Sequence, residues 1–486
     1  MKLKDILPDG FPVLETRFQD MDIQHISCDS RDIKGRSFFI AVLGTTYDGA
    51  QFIEEAIRQG AVAVACDTPL AKKTVHNQVC WIKVSDPKNF LQDIAQRFYD
   101  YPSRKIKTIG VTGTNGKTTT TYLIEAILKT NGKKCAVIGT VNYRMGGHIF
   151  PSKNTTPGVI DLQRFFSEMD KEGVSYCVME VSSHALEQGR VGGIDFRSAA
   201  FTNLTQDHLD YHANMENYFS AKAKLFSQLS RQSQAIINTD DAYAQRLIPL
   251  TQAKVISYGI HHPADIQAKD IQLSLSGSTF TIHAQQEQTK IKTSLIGRHN
   301  VYNILAAWGL SHADGIAPDD IRKGIEAFDA VPGRLERIEG GQDFFVYVDY
   351  AHTDDALKNV LTSFKEVSQA RIIVVFGCGG NRDKTKRPKM GEVASRLADF
   401  SILTSDNPRQ EDPQTIIEEI MIGFNGKNFC VVVDRKEAIA KAFSLAQEGE
   451  IVLIAGKGHE DYQIFKDRTI HFDDREVARE CLKCLV

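Results

Sequence analysis

Ile106-Lys-Thr-Ile-Gly-Val111, then Gly113-Thr-Asn-Gly-Lys-Thr118, then the run to Lys129 is the stretch that decides how this chain is read. The first run is short and apolar, as a buried strand is, and Thr118–Lys129 carries a helical pattern closed by Asn131-Gly132. A strand, a glycine-containing turn and a helix opening on Lys-Thr make a cradle for phosphate. Backbone N–H groups and the helix dipole face the anion, Lys117 reaches the β/γ oxygens, and the Thr118 hydroxyl can ligate Mg2+. The strict form of this loop needs glycine at position 111, where this chain has Val111, so the match is to a Gly-x-x-Gly-Lys-Thr variant. It predicts an ATP site made by Gly113, Thr114, Asn115, Gly116, Lys117, Thr118 and Thr119. Kinases, transport ATPases, switch proteins and ligases would all fit such a loop.

The alternation of apolar runs and amphipathic stretches extends outward on both sides. Upstream, Ser37–Val42, Ala61–Cys66 and Val79–Val84 read as strands, while Asp48–Gln59 and Lys88–Tyr99 read as helices. The polar segment Tyr101–Lys105 breaks the pattern and predicts a linker. Downstream, buried-type runs recur at Ala136–Gly139, Tyr176–Val181 and Ala199–Leu204. Residues Ile266–Ile296 alternate around Ser276-Gly-Ser278, which predicts an antiparallel excursion. An amphipathic helix is expected over 299–313, and Pro332-Gly333 marks a second boundary. The last block alternates strands (Phe344–Val348, Arg371–Phe376, Phe400–Leu403, Phe429–Val433, Ile451–Ile454) with helices, as a doubly wound parallel sheet does. The predicted fold class is α/β in three domains. These are a small N-terminal α/β domain (1–103), a central P-loop ATPase-type mixed sheet (104–332) and a C-terminal doubly wound, Rossmann-like domain (333–486).

Length and composition agree with this. At roughly 150 residues per domain, 486 residues suggest about three. Hydrophobic residues at 42% and charged residues at 24% are the balance of a globular chain able to bury several cores. A net charge of −3 supplies no general attraction to nucleic acid or anionic lipid. No apolar run approaches the ~18–20 residues of a membrane span. The first residues lack the apolar centre of a secretory signal, and nine scattered cysteines do not make a disulfide framework. A cytoplasmic location follows as an expectation.

Several strand ends carry chemistry. Tyr176-Cys-Val-Met-Glu180 ends on a carboxylate that should face the nucleotide as a Mg2+ ligand. Another strand end leads into Asn203-Leu-Thr-Gln-Asp207-His208-Leu-Asp210, and Ala221-Lys222-Ala-Lys-Leu225-Phe226 follows. With the phosphate loop, these segments resemble those of the Mur ligase family, ATP-dependent amino-acid ligases of peptidoglycan synthesis. The resemblance runs through Gly297-Arg-His-Asn300-Val-Tyr-Asn303, Pro332-Gly-Arg334 and Val348-Asp349-Tyr-Ala-His352. It implies that Lys222 is carbamylated, giving N6-carboxylysine. It also implies one Mg2+ on Thr118 and Glu180 and a second on His208 and modified Lys222. Asn300 and Asn303 would approach adenine, and Arg334 and Asp349 the phosphates and ribose. Lys117, Lys222, His208, Asp207 and Asp210 are the implied catalytic set.

Within the family the pattern is most similar to the branch that extends UDP-N-acetylmuramoyl-L-alanyl-D-glutamate by a diamino acid. Cys28-Asp-Ser30-Arg31 resembles the uridine-nucleotide site, and Asn154-Thr155-Thr156-Pro157 and Ser182 to Gln188-Gly-Arg190 resemble the segments holding the muramoyl-dipeptide. Asp406-Asn407-Pro408-Arg409 matches the variant that accepts meso-diaminopimelate. Diaminopimelate differs from lysine by a distal carboxylate, which Arg409 can pair with bidentately. Arg382 adds a second guanidinium, and Gly456 to Glu460 supplies a carboxylate for the distal ammonium. The implied reaction passes through an acyl phosphate, with Asp207, Asp210 and His352 all open as proton acceptors. Small-molecule substrates, ATP, Mg2+ and the CO2-derived carbamate on Lys222 are the implied partners of a monomer. Folylpolyglutamate synthetase shares the loop and the lysine but should lack the block 1–103. A P-loop switch would leave Arg409, Arg382 and Glu460 without a task.

Overall fold

A computed structural model describes residues 1–11, 15–44, 47–67, 78–284 and 287–484, and at Asp210 the backbone alone. Among the described residues three sheets, each built mainly of parallel strands, follow one another along the chain, and a small antiparallel ribbon of Tyr462–Ile464 and Thr469–His471 lies near its end. The first is fully parallel, in the order His25–Ser27, Ser37–Ile40, Ala61–Cys66, Cys80–Lys83. The helix expected over 48–59 is split. Gly49–Phe52 is a 3-10 turn capped by Asp48, and Ile53–Arg58 is α-helical. Helix Pro87–Phe98 packs back on this sheet and also docks on the turn at 187–193. There Lys88 Nζ donates to Glu187 O at 2.7 Å and Gln92 Nε2 to Gly189 O at 2.9 Å.

The expected linker is not a free tether. Tyr101 takes a left-handed backbone (φ 48°), and Pro102–Lys105 winds one 3-10 turn with Pro102 and Ser103 buried. Ser103 Oγ donates to Gly193 O at 3.2 Å. Proline's preset φ and a buried serine with its own acceptor let a polar run pack instead of dangle.

The second sheet has eleven strands. Its parallel centre runs Lys254–Gly259, Gln234–Asn238, Phe196–Phe201, Lys107–Thr112, Tyr176–Glu180, Cys135–Ile138. Ile266–Ser274 joins this centre as one more parallel strand beside Lys254–Gly259, and antiparallel pairs extend both margins beyond it. Ile266–Ser274, Gly277–Ala284 and Glu287–Thr293 form the expected excursion, and Asn142–Met145 with His148–Pro151 form a hairpin that the apolar pattern did not announce. Helix Arg298–Ala313 differs from expectation. It packs on helix Lys117–Thr130 and on the sheet, so eleven of its residues are buried and it has no broad polar face.

The third sheet runs Glu336–Ile338, Phe345–Asp349, Ile451–Ala455, Ile372–Phe376, Phe400–Leu403, Phe429–Val431, parallel except for the first pair. Ile372-Ile-Val-Val-Phe376 is buried at every position, as a central parallel strand covered on both faces must be. The chain is thus α/β with three sheet layers, and its polar residues gather at the carboxyl ends of the parallel strands.

Candidate active site

A cleft of about 480 Å3 opens over the carboxyl ends of four strands of the second sheet, Lys107–Thr112, Tyr176–Glu180, Phe196–Phe201 and Gln234–Asn238. Thr114–Thr119, Glu180, Asn203, Asn300, Asn303, Arg334 and Asp349 all line it. Gly113 and Gly116 have φ of +153° and +87°, and neither has room for a Cβ. It would lie 1.8 Å from Thr202 Oγ1 at the first and 2.3 Å from Asn303 Oδ1 at the second. The next strand braces the loop: Thr114 N donates to Asn203 O and Asn115 N to Asn203 Oδ1, both at 2.9 Å. Helix Lys117–Thr130 begins without a side-chain cap, leaving its leading N–H groups for an anion. Lys117 Nζ folds onto Gly113 O (2.9 Å) and Thr114 O (2.8 Å), and burial lowers its pKa.

Glu180 is buried behind this loop. Its Oε1 accepts from Thr140 N and its Oε2 from Thr140 Oγ1, each at 2.9 Å, and among the described residues no cation pairs with it. Lys222, on helix Met215–Ser227, is fully buried, donates from Nζ to Gly113 O at 2.8 Å and lies 4.7 Å from the Tyr218 ring centre. Burial first, and then Lys117, hold its pKa well below the ordinary lysine value. The His208 ring lies 6.2 Å from the same tyrosine, so Lys222 and His208 share one neighbour. His208 has a left-handed backbone (φ 53°), a conformation costing on the order of 1–3 kcal/mol in a non-glycine residue. Asp207 lies 3.5 Å from His208 Nε2, while the Asp210 side chain lies outside the described residues. No group of three or more His, Cys, Asp or Glu forms a metal cage among the described residues. A buried carboxylate that makes no ion pair among the described residues, beside a threonine at a phosphate loop, suits Mg2+, which takes one or two protein ligands with phosphate and water.

The segments expected to hold the muramoyl-dipeptide form a wall behind Glu180. Thr155 Oγ1 meets Thr140 Oγ1 at 3.1 Å, Thr156 Oγ1 donates to Glu180 O at 2.8 Å, and Ser182 N donates to Thr156 Oγ1 at 3.0 Å. Tyr143 Oη donates to Asn154 O at 2.5 Å. Arg190 Nη1 donates to Thr156 O at 2.9 Å and its Nε to Gln188 Oε1 at 2.9 Å. Ser30 stands apart, donating to Glu55 Oε2 at 3.1 Å.

A second cleft, of about 590 Å3, lies over the carboxyl ends of the third sheet and also reaches Gln206–Leu209 of the central region. Arg382, Asp406, Asn407, Arg409, Gly456 and Glu460 line it, together with His352. Asn407 is the tie: its Nδ2 donates to Glu460 Oε2 at 2.8 Å, and its Oδ1 accepts from Lys457 Nζ at 3.1 Å. Burial, with the Asp406 charge, raises the Glu460 pKa. Arg409 is left-handed (φ 53°) and donates from Nη1 to Gly380 O at 2.9 Å. Pro408 contributes its carbonyl to the packing, since a Cβ on Gly380 would lie 1.9 Å from it. His352 keeps an exposed edge, and crowding by the cleft walls, then the Lys386 charge, bring its imidazole down to about 4.

Several residues of these clefts escaped the sequence reading. Thr140 anchors Glu180. Asp240 accepts from Ile260 N, His261 N and Tyr302 Oη, and Asp241 accepts from Leu204 N; both aspartates line the first cleft. Their signal was present, because Asn238-Thr-Asp-Asp241 ends a parallel strand. Asp355 and Ser363, on helix Asp354–Val367, had no such signal.

A family model of the Mur ligase middle domain matches residues 111–311, one of the Mur ligase glutamate ligase domain matches 333–458, and one of the Mur ligase family catalytic domain matches 22–99. Over 465 residues the chain is 45% identical to the UDP-N-acetylmuramoyl-L-alanyl-D-glutamate–2,6-diaminopimelate ligase of Halalkalibacterium halodurans, covering 95% of each. It is 43% identical over 488 residues to the ligase of the same name from Syntrophomonas wolfei, covering 99% of each. A solved structure of a UDP-N-acetylmuramoyl-L-alanyl-D-glutamate–2,6-diaminopimelate ligase superposes with a TM-score of 0.73 at 33% identity, over 100% of this chain and 99% of that one. With its phosphate loop, its buried lysine and three sheets in this order, the chain belongs to the Mur ligase family.

Proposed function

We propose that the chain is an ATP-dependent ligase that joins meso-2,6-diaminopimelate to the γ-carboxylate of UDP-N-acetylmuramoyl-L-alanyl-D-glutamate in peptidoglycan precursor synthesis. The observation that carries this reading is the second cleft. It places the guanidinium-bearing Arg382 and Arg409 and the carboxylate-bearing Glu460 over strand ends, and it opens towards the segment that braces the phosphate loop. A ligand with a distal carboxylate and a distal ammonium suits that set.

The phosphate loop and Lys117 hold the triphosphate while the γ-carboxylate attacks the γ-phosphorus, giving an acyl phosphate and ADP. Thr118 and Glu180 would hold one Mg2+ and His208 with carbamylated Lys222 a second; bound there, Mg2+ neutralises charge on the transferring phosphoryl group. Arg334 and Asp349 bring the third sheet to the nucleotide. The amine of diaminopimelate then attacks the acyl carbon, a proton passes to a base in the cleft, and phosphate leaves. His352, with its pKa near 4, is neutral at pH 7 and can accept a hydrogen bond from that amine. Acyl phosphates hydrolyse, so the clefts must close against water. We place the reaction in the cytoplasm, where the nine free cysteines stay reduced. The chain has no helix, among the described residues, long and apolar enough to cross a membrane.

The test is an amino-acid panel: lysine, meso-diaminopimelate and L,L-diaminopimelate, each with ATP and the UDP-linked dipeptide, read by mass spectrometry. A meso-diaminopimelate tripeptide is expected as the main product. Arg409→Ala should raise KM for that amino acid far more than KM for ATP. A lysine tripeptide as the main product, or an unchanged KM in the variant, would reject the assignment.

A further inference from the structure

We propose that Asp355 is a positioning residue that latches the third sheet's first helix onto the phosphate loop, so that the acyl phosphate forms in a closed site; this rests on the ligase reading. Asp355 Oδ2 accepts from Asn115 Nδ2 at 3.1 Å and from Thr205 Oγ1 at 3.1 Å. Asn115 lies inside the phosphate loop, 240 residues earlier in the chain. Thr205 belongs to the segment bracing that loop: its N–H donates to Thr114 Oγ1 at 3.0 Å, and Thr114 Oγ1 donates to Thr205 O at 3.2 Å. One carboxylate oxygen therefore ties the third sheet to both supports of the ATP cradle.

The position of the helix gives this contact its consequence. Helix Asp354–Val367 is a wall shared by both clefts, with Asp355 and Lys358 facing the amino-acid cleft and Asn359 and Ser363 facing the nucleotide cleft. A second tie, Ser363 Oγ to His299 Nδ1 at 3.1 Å, fixes the helix two turns further on. The latch uses the Asn115 side-chain amide, so the uncapped leading N–H groups of helix Lys117–Thr130 stay available for phosphate, while the Thr114 and Asn115 N–H groups remain on Asn203. Hydrogen bonds to a carboxylate are stronger than neutral ones and orient the groups they join. Cutting this one should loosen the wall between the clefts while leaving the phosphate, amino-acid and dipeptide contacts in place. Water could then reach the acyl phosphate before the amine does.

The experiment measures phosphate released per tripeptide formed. The native chain should give one phosphate per product. Asp355→Ala should lower kcat on the order of tenfold, release more than one phosphate per tripeptide and change KM for ATP little. Asp355→Asn, which keeps an acceptor oxygen, should restore most of the coupling. Should Asp355→Ala not fold, Thr205→Val removes one donor from the other side of the contact and should uncouple in the same sense. Native kcat with one phosphate per tripeptide in the folded variant would overturn the latch. A native chain that makes no tripeptide would instead reject the ligase reading. Small-angle scattering without substrates then decides the latch: a larger radius of gyration in Asp355→Ala supports it, and an equal one overturns it.

Discussion

At the scale of single residues, Lys222 is where burial would create the reactivity that the proposed carbamate needs. Its amine is enclosed beside Gly113 O and the Tyr218 ring, with Lys117 nearby, and its pKa is held well below the ordinary lysine value. Only the neutral amine adds CO2, so a lowered pKa leaves more of it ready near neutrality, and protonation competes as pH falls. Activity in CO2-depleted buffer should therefore be restored by bicarbonate, with the larger requirement at lower pH. Lys222→Ala should lose most activity and recover part of it with short carboxylates. Full activity of the unrescued variant would reject the carbamate. The motif around Lys222 was legible in the sequence, but its burial was not. Two lysines in Ala221-Lys-Ala-Lys224 look alike on paper, and only packing sends one inward while Lys224 pairs with Glu187 at the surface.

At the scale of elements, the second cleft depends on ties between loops and helices behind it. Arg435 and Asp474 are both fully buried and joined by two hydrogen bonds of 2.7 Å, and Arg435 Nη2 also donates to Ala455 O at 3.0 Å. The pair fastens helices Arg435–Leu445 and Asp474–Lys483 to the end of strand Ile451–Ala455, one residue before Gly456. Arg435→Met should cost about 3–5 kcal/mol, because Asp474 would be left buried without its partner. Urea unfolding would measure it; a loss below about 1 kcal/mol would mean that the pair is solvated in solution. Strand positions here were legible because fully apolar runs of five residues have few other uses. The Asn142–Pro151 hairpin was missed because its residues are partly polar and half exposed, and the helix at 298–313 was misread as amphipathic because two packed layers cover it.

At the scale of the whole molecule, the two clefts belong to different sheets and meet across one helix. Arg334 and Asp349 of the third region line the first cleft beside the phosphate loop, so on the proposed reading the third sheet completes the ATP site. Steady-state ADP formation should fall to background when either the dipeptide nucleotide or the diamino acid is omitted. Vigorous turnover with ATP alone would favour a switch or free ATPase. By itself the sequence determined the phosphate loop, the alternation of strands and helices, the three blocks, and the charged residues at strand ends. Each of these is written locally, in the periodicity of burial or in the chemistry of a short turn. Only the tertiary structure decided that Asp355 meets Asn115, that Thr140 holds Glu180, and that Lys222 lies under the loop. Those meetings join residues tens to hundreds of positions apart. They depend on how sheets and helices pack, which no local pattern specifies.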